Sequence, residues 1–193
     1  MVSGIIMASG LSTRMCKYKL LLNYKGKFLI EYVLDSVKAS NFYHKTVITG
    51  NEKIVELSKA RELNVVRNNH GELGQSESIK LGILNSPIVS GYAFITADQP
   101  FLSVSLINKL IEEFENHPDK FIVPVYKGKR GNPVIFPKEY KDELLNLSGD
   151  IGGRVILRKY ESNIRFVEIE EDYLLWDIDT EEDYANLLQS NYQ

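Results

Sequence analysis

The chain has 193 residues, 44% of them hydrophobic, enough to bury a substantial core within one domain. Its net charge of −3 excludes the basic field that non-specific nucleic-acid binding requires, and no apolar stretch reaches the ~20 residues of a membrane-spanning helix. A single cysteine, Cys16, leaves no internal disulfide, and no cationic leader precedes the N-terminal apolar run, so the expected location is the cytoplasm.

Residues 2–7 form a short apolar run bounded by turn residues, which reads as a buried strand. Residues 27–40 place Phe28, Ile30 or Tyr32, Val33, Leu34 and Val37 at roughly helical spacing. A β-rich run at 46–49 ends at Gly50, a polar helix is predicted over 53–61, and 63–66 is a further strand candidate. Residues 75–84 read as a helix, 91–96 as a central strand, and 105–116 as a helix that His117-Pro118 terminates. Beyond this point the alternation weakens. Residues 121–125 and 134–136 are strand-like around the polar turn 127–131, which predicts an antiparallel excursion. Helices are then expected at 138–147 and 152–160, an extended segment at 164–169 and a closing helix at 181–189. Alternating strands and helices predict a three-layer αβα, Rossmann-like fold with a mixed sheet, in one domain without internal repeats.

In such sheets ligands bind beyond the carboxyl ends of the strands. After the first strand come small residues and then three cations, Arg14, Lys17 and Lys19, with no acidic residue before Glu31. Small side chains let backbone N–H groups approach a ligand, and the cations neutralise it, so the loop suits phosphates. It lacks the Gly-x-x-x-x-Gly-Lys-Ser/Thr pattern of P-loop NTPases. A surface loop can carry the same composition, so the loop by itself leaves both readings open. Asp98 ends an apolar strand with Pro100 two residues later, an arrangement that suits Mg²⁺ but also a turn or helix cap. Asp177 and Asp179 share one face of an extended segment, while Asp179 or Thr180 could cap the last helix. None of His44, His70 and His117 has a Cys or His partner at zinc-ligand spacing, and nothing forms a Ser/His/Asp-type arrangement.

Four blocks carry a resemblance. Met7-Ala8-Ser9-Gly10-Leu11-Ser12-x-Arg14-Met15-x-x-x-Lys19 is similar to the Leu-Ala-(Ala/Gly)-Gly-x-Ser-x-Arg-Met-Gly-x-x-Lys signature of the nucleotidyltransferases that mature the molybdenum cofactor. In order follow Asp98-Gln99-Pro100-Phe101, then Gly128-x-x-Gly131-x-Pro133-Val134-x-Phe136 with Gly149-Asp150-x-Gly152-x-Arg154, then Asp177-Ile178-Asp179-Thr180-x-Glu182-Asp183-Tyr184. Together they span nearly the whole chain, and the last three resemble the cytidylyltransferase branch. The resemblance implies a nucleotide-diphospho-sugar transferase (glycosyltransferase-A-like) fold. It also implies Mg²⁺-dependent transfer of CMP from CTP to molybdopterin cofactor, with a molybdenum hydroxylase as a candidate recipient of the product. Carried over by position, Arg14 and Lys19 would hold the triphosphate, and Asp98 and Asp179 the metal. Met7, Ala8, Ser9 and Gly10 would lie against the nucleotide, with Ser76 and Ser78 at small polar positions near it. The chain departs from the family at three places. Cys16 replaces a glycine. Ser9 stands where alanine marks cytidine users and glycine guanosine users, and its size is closer to alanine. Asn132 stands where the cytidylyltransferases carry histidine, which keeps another phosphorylated acceptor as an alternative, while Cys16 in the signature loop keeps a non-catalytic role in cofactor delivery.

Overall fold

The structure, a computed structural model, describes residues 1–10 and 18–190. Its apolar runs become the middle of one eight-stranded sheet. In chain order the strands and helices are β1 (Val2–Met7), β2 (Asn23–Tyr24), β3 (Lys27–Phe28), α1 (Leu29–Ala39), β4 (His44–Thr49), α2 (Glu52–Lys59), β5 (Asn64–Arg67), α3 (Gln75–Leu84), β6 (Gly91–Thr96) and α4 (Val104–Asn116). There follow β7 (Phe121–Tyr126), β8 (Lys129–Arg130), β9 (Val134–Pro137), α5 (Lys141–Leu145), α6 (Arg154–Lys159), β10 (Ile164–Glu168) and α7 (Glu181–Gln189).

The sheet runs β10-β7-β9-β6-β1-β4-β5, with β8 paired to β7. β6, β1, β4 and β5 are mutually parallel, whereas β9 is antiparallel to both β6 and β7. The antiparallel excursion expected from residues 127–131 is therefore present, and it inserts β9 beside the central strands. β1 and β6 are buried along nearly their whole length because helices cover both faces of the sheet. On one face α1 and α4 bury Val33, Leu34, Val37, Leu106, Leu110 and Phe114. On the other, α3, α5 and α6 pack Ile79, Ile83, Leu144, Ile156 and Leu157 against β1, β6 and β9. A third cluster, Tyr24, Leu29, Ile178 and Leu187, seats α7 beside the start of α1.

Two local expectations change. Residues 27 and 28 belong to a two-stranded hairpin with β2, turned by Lys25 (φ 47°) and Gly26 (φ 87°), so α1 begins only at Leu29. The helix expected over 138–147 is a 3-10 turn followed by the single short α5. Among the described residues no helix is long and apolar enough to cross a membrane.

Candidate functional site

β1 and β6 pair in parallel with Met7 opposite Thr96, so the segments that follow them emerge side by side. Between these strand tips and the start of α3 lies a cleft of about 550 Å³. Its walls include Met7, Ser9, Gly10 and Lys19 at and beyond the end of β1, Thr96, Ala97 and Asp98 at and beyond the end of β6, and Asp177 and Asp179 before α7. The opposite wall carries Gly71, Gly74, Gln75 and Ser78 with Asn132, Asp150 and Arg154.

The β1 loop is clamped at both ends. The Ala8 N–H donates to Ile48 O at 2.9 Å, Ser9 Oγ to the same carbonyl at 3.1 Å, and the Tyr18 hydroxyl to Ala8 O at 3.2 Å. A 3-10 turn over Lys19–Leu21 then buries Leu20 and directs Lys19 back into the cleft. Its Nζ donates to Asp98 Oδ2 at 2.5 Å and to Asp179 Oδ1 at 2.8 Å. Burial opposes the Lys19 charge, but Asp98 and Asp179 outweigh it and hold the lysine above its ordinary pKa.

The two aspartates reach this point by different routes. Asp98 continues β6, its side chain is only 16% exposed, and its backbone carbonyl accepts the Ile178 N–H at 3.0 Å. That bond docks the 177–179 segment onto the strand tip, with Ile178 buried and the aspartates on either side lining the cleft. Capping of α7 falls to Thr180, whose Oγ1 accepts from Asp183 N while the Asp183 carboxylate accepts from the Thr180 and Asp179 N–H groups. Asp179 is thereby released from capping and keeps its carboxylate, 44% exposed, for the cleft. Asp98 does not cap a helix either, because Ser103 caps α4. Asp177 is open to cleft water, yet desolvation within the concave wall, followed by the charges of Asp98 and Asp179, pushes it up to about 6.

Buried polar atoms almost always have partners. The three buried side-chain atoms that lack one among the described residues all lie at the tip of β6 or just after it: Thr96 Oγ1, Asp98 Oδ1 and Gln99 Oε1. Asp98 therefore carries one oxygen engaged by Lys19 and one buried without a partner, and with Asp179 it is the carboxylate pair that could hold a hard divalent cation. Among the described residues no group of three His, Cys, Asp or Glu is placed to hold a metal by itself.

The opposite wall depends on Gly74, which adopts φ +84° and ψ −168°, a region that side chains avoid. A Cβ there would stand 2.6 Å from the backbone of Asp150. Behind it, the Ser76 N–H and Oγ both donate to Gly149 O, and the Gln75 N–H donates to Asp150 Oδ1 at 3.3 Å.

Of the residues singled out from sequence, Met7, Ser9, Gly10, Lys19, Ser78, Asp98 and Asp179 meet in the cleft. Ala8 is buried within the core beneath it, and the Ser76 hydroxyl is turned to Gly149 and does not line the cleft. Arg14, with Lys17 and Cys16, lies outside the described residues. Asp177, paired with Asp179 on one face from sequence, also lines the cleft, whereas sequence reasoning gave no site role to Arg154, although it sits within a recognised block. None of the three histidines lines the cleft.

A cation and carboxylates thus gather at the carboxyl edge of a mixed αβα sheet, where such folds bind ligands. The chain belongs to the MobA-like NTP transferase family, whose domain matches residues 4–164. The class reaction is nucleotidyl transfer to a phosphorylated acceptor. A probable molybdenum cofactor guanylyltransferase of Natranaerobius thermophilus is 34% identical over 66% of this chain and 62% of its own length, so the match spans less than two thirds of that relative. The purine catabolism protein PucB of Bacillus subtilis is 28% identical over 94% of this chain and 93% of its own. The molybdenum cofactor cytidylyltransferase of Escherichia coli is 25% identical over 95% and 93%. The fold matches a nucleotidyl transferase from Methanothermobacter thermautotroptrophicus with a TM-score of 0.82 at 21% identity, covering 98% of this chain and 96% of that one.

Proposed function

We propose that this single domain transfers CMP from CTP to the terminal phosphate of molybdopterin cofactor and releases pyrophosphate, as a molybdenum cofactor cytidylyltransferase. The observation that carries this reading is Lys19 held between Asp98 and Asp179 at the tips of β1 and β6, beside an unpartnered buried oxygen of Asp98. The Escherichia coli cytidylyltransferase, similar over 95% of this chain, supports the choice of nucleotide and acceptor, and Ser9 on the cleft wall supports that of the nucleotide.

The chemistry needs little from the protein beyond position and charge. The acceptor is a phosphomonoester with a second pKa of about 6, already largely dianionic at neutral pH. One of its oxygens attacks the α-phosphorus in line. The bond from that phosphorus to the β-bridging oxygen breaks, and its electron pair leaves on pyrophosphate. No proton has to be removed from the nucleophile, which accords with a cleft that no histidine lines. Lys19, together with Arg14, neutralises the triphosphate as negative charge moves to the bridging oxygen. Asp98 and Asp179 would hold Mg²⁺, which when bound supplies further charge neutralisation on the phosphates. Ser9 and Ser78 present hydroxyls at the nucleotide end of the cleft.

The test is pyrophosphate release from each of the four NTPs with Mg²⁺ and molybdopterin cofactor. Release with CTP alone is expected. Release with GTP instead would keep the reaction and replace the base. A second reading, transfer to another phosphorylated acceptor, draws on Asn132, which lines the cleft where the cytidylyltransferases carry histidine. That reading gains if no NTP turns over while an active relative does under the same conditions.

A further inference from the structure

The cleft has a second cation that the reaction as described leaves without a task. Arg154 opens α6 on the wall opposite Lys19, and its exposed guanidinium makes no ion pair or hydrogen bond with the described residues. Its position is built from both sides. Gly153 seats the start of α6 on β9, where a Cβ would meet the Phe136 ring at 2.5 Å. The 149–150 loop is held against the first turn of α3 by Gly149 O and Asp150 Oδ1, as described above.

Sheet order separates the two cations. β6 lies between β1 and β9. Lys19 arrives from the β1 side and is engaged by Asp98 and Asp179. Arg154 stands over β9, which is antiparallel to β6 with Val134 opposite Phe94, so Asn132 before β9 lies toward the end of β6 that leads to Asp98. A triphosphate held on the β1 side leaves the β9 side for the second substrate. A phosphate dianion approaching a triphosphate needs its own counter-charge, and a guanidinium stays charged and offers two parallel donors to two phosphate oxygens.

We propose that Arg154 binds the terminal phosphate of the acceptor and restricts the enzyme to phosphomonoester acceptors. The inference rests on the nucleotidyl-transfer reading but not on the identity of the acceptor.

Kinetics on the full chain supply the first test. Arg154→Ala should raise KM for molybdopterin cofactor by about 10–100-fold, the range that loss of charged hydrogen bonds produces. KM for CTP should stay within about twofold, because only the acceptor's binding energy is lost. Arg154→Lys should recover part of the acceptor affinity, since it keeps the charge and loses the fork. An unchanged acceptor KM, or a CTP KM that rises with it, overturns the assignment. A second measurement does not depend on turnover. The Arg154 Nε–H resonance, identified by its loss in Arg154→Lys, is followed while inorganic phosphate is added to protein saturated with Mg²⁺ and a non-hydrolysable CTP analogue. A saturable shift caused by phosphate, and not by the analogue, supports the site. It does so even if molybdopterin cofactor proves not to be the acceptor. No shift with phosphate, or a shift already complete with the analogue, overturns it.

Discussion

Two polar clusters sit at opposite ends of β1 and face opposite fates. At its amino end Ser3 Oγ contacts Ser86 Oγ at 2.8 Å and His44 Nδ1 at 3.2 Å, Thr46 Oγ1 reaches the same nitrogen, and Ser86 Oγ donates to Gly82 O. None of these hydroxyls is left without a partner. At the carboxyl end, Lys19, Asp98 and Asp179 converge, and three buried atoms at the tip of β6 or just beyond it have no partner among the described residues. A closed network of neutral groups rigidifies a fold, whereas charged groups gathered around unpaired atoms cost stability and are suited to a ligand. On the proposed reading the same strand serves structure at one end and chemistry at the other.

The contrast is sharpest at Lys19. Lys19→Ala should lower kcat by about 10²–10³, as removal of one preorganised charge donor does, with the fold retained. Steady-state turnover alongside a thermal melt measures both. Near-full turnover would assign the phosphate role to another cation of the loop. At the glycine wall, Gly74→Ala places a Cβ 2.6 Å from the Asp150 backbone in a conformation side chains avoid, so a stability loss of about 1–3 kcal/mol is expected in urea unfolding. Ser3→Ala, at the other end of β1, should cost only about 1 kcal/mol in the same experiment and leave kcat and both KM values unchanged. A fall in kcat there would break the division between the two ends.

The smallest effects concern pH, and the two ends respond in opposite senses. Asp177 is raised from 3.8 to about 6, so its contribution to stability is full below 3.8 and is lost as pH rises through about 6. His44 is lowered from 6.5 by burial, so its contribution is present above 6.5 and is lost as pH falls through its depressed value. Urea midpoints measured across pH should show Asp177→Asn flattening the first change and His44→Gln the second. Asp177 is open to water, which keeps its share small.

Much of this architecture was legible in the chain because apolar runs and helical spacing report burial directly. β1, α3, β6 and α7 have the bounds that their residue patterns predict. The β2–β3 hairpin was hidden because Phe28 falls in register with the apolar stripe of α1, and only Lys25-Gly26 marks the turn. At the site, Asp98 and the Asp177–Asp179 pair were recognisable as strand-tip carboxylates, but whether they cap helices or face a ligand depends on Ser103 and Thr180 taking the caps. The meeting of Lys19 with residues 79 and 160 positions away is a product of sheet order, and so is the arrival of Arg154 from a helix over β9. Local pattern carries no record of either.

The central claim is that the carboxylate–lysine cluster transfers a nucleotide to a phosphorylated acceptor. Its most direct test follows label from [α-³²P]CTP into molybdopterin cofactor with wild type and with Asp98→Asn, which keeps the shape and removes the charge. The account predicts labelled product with wild type and a loss of at least about 10²-fold in Asp98→Asn at unchanged thermal stability. Equal labelling by the two proteins would contradict it.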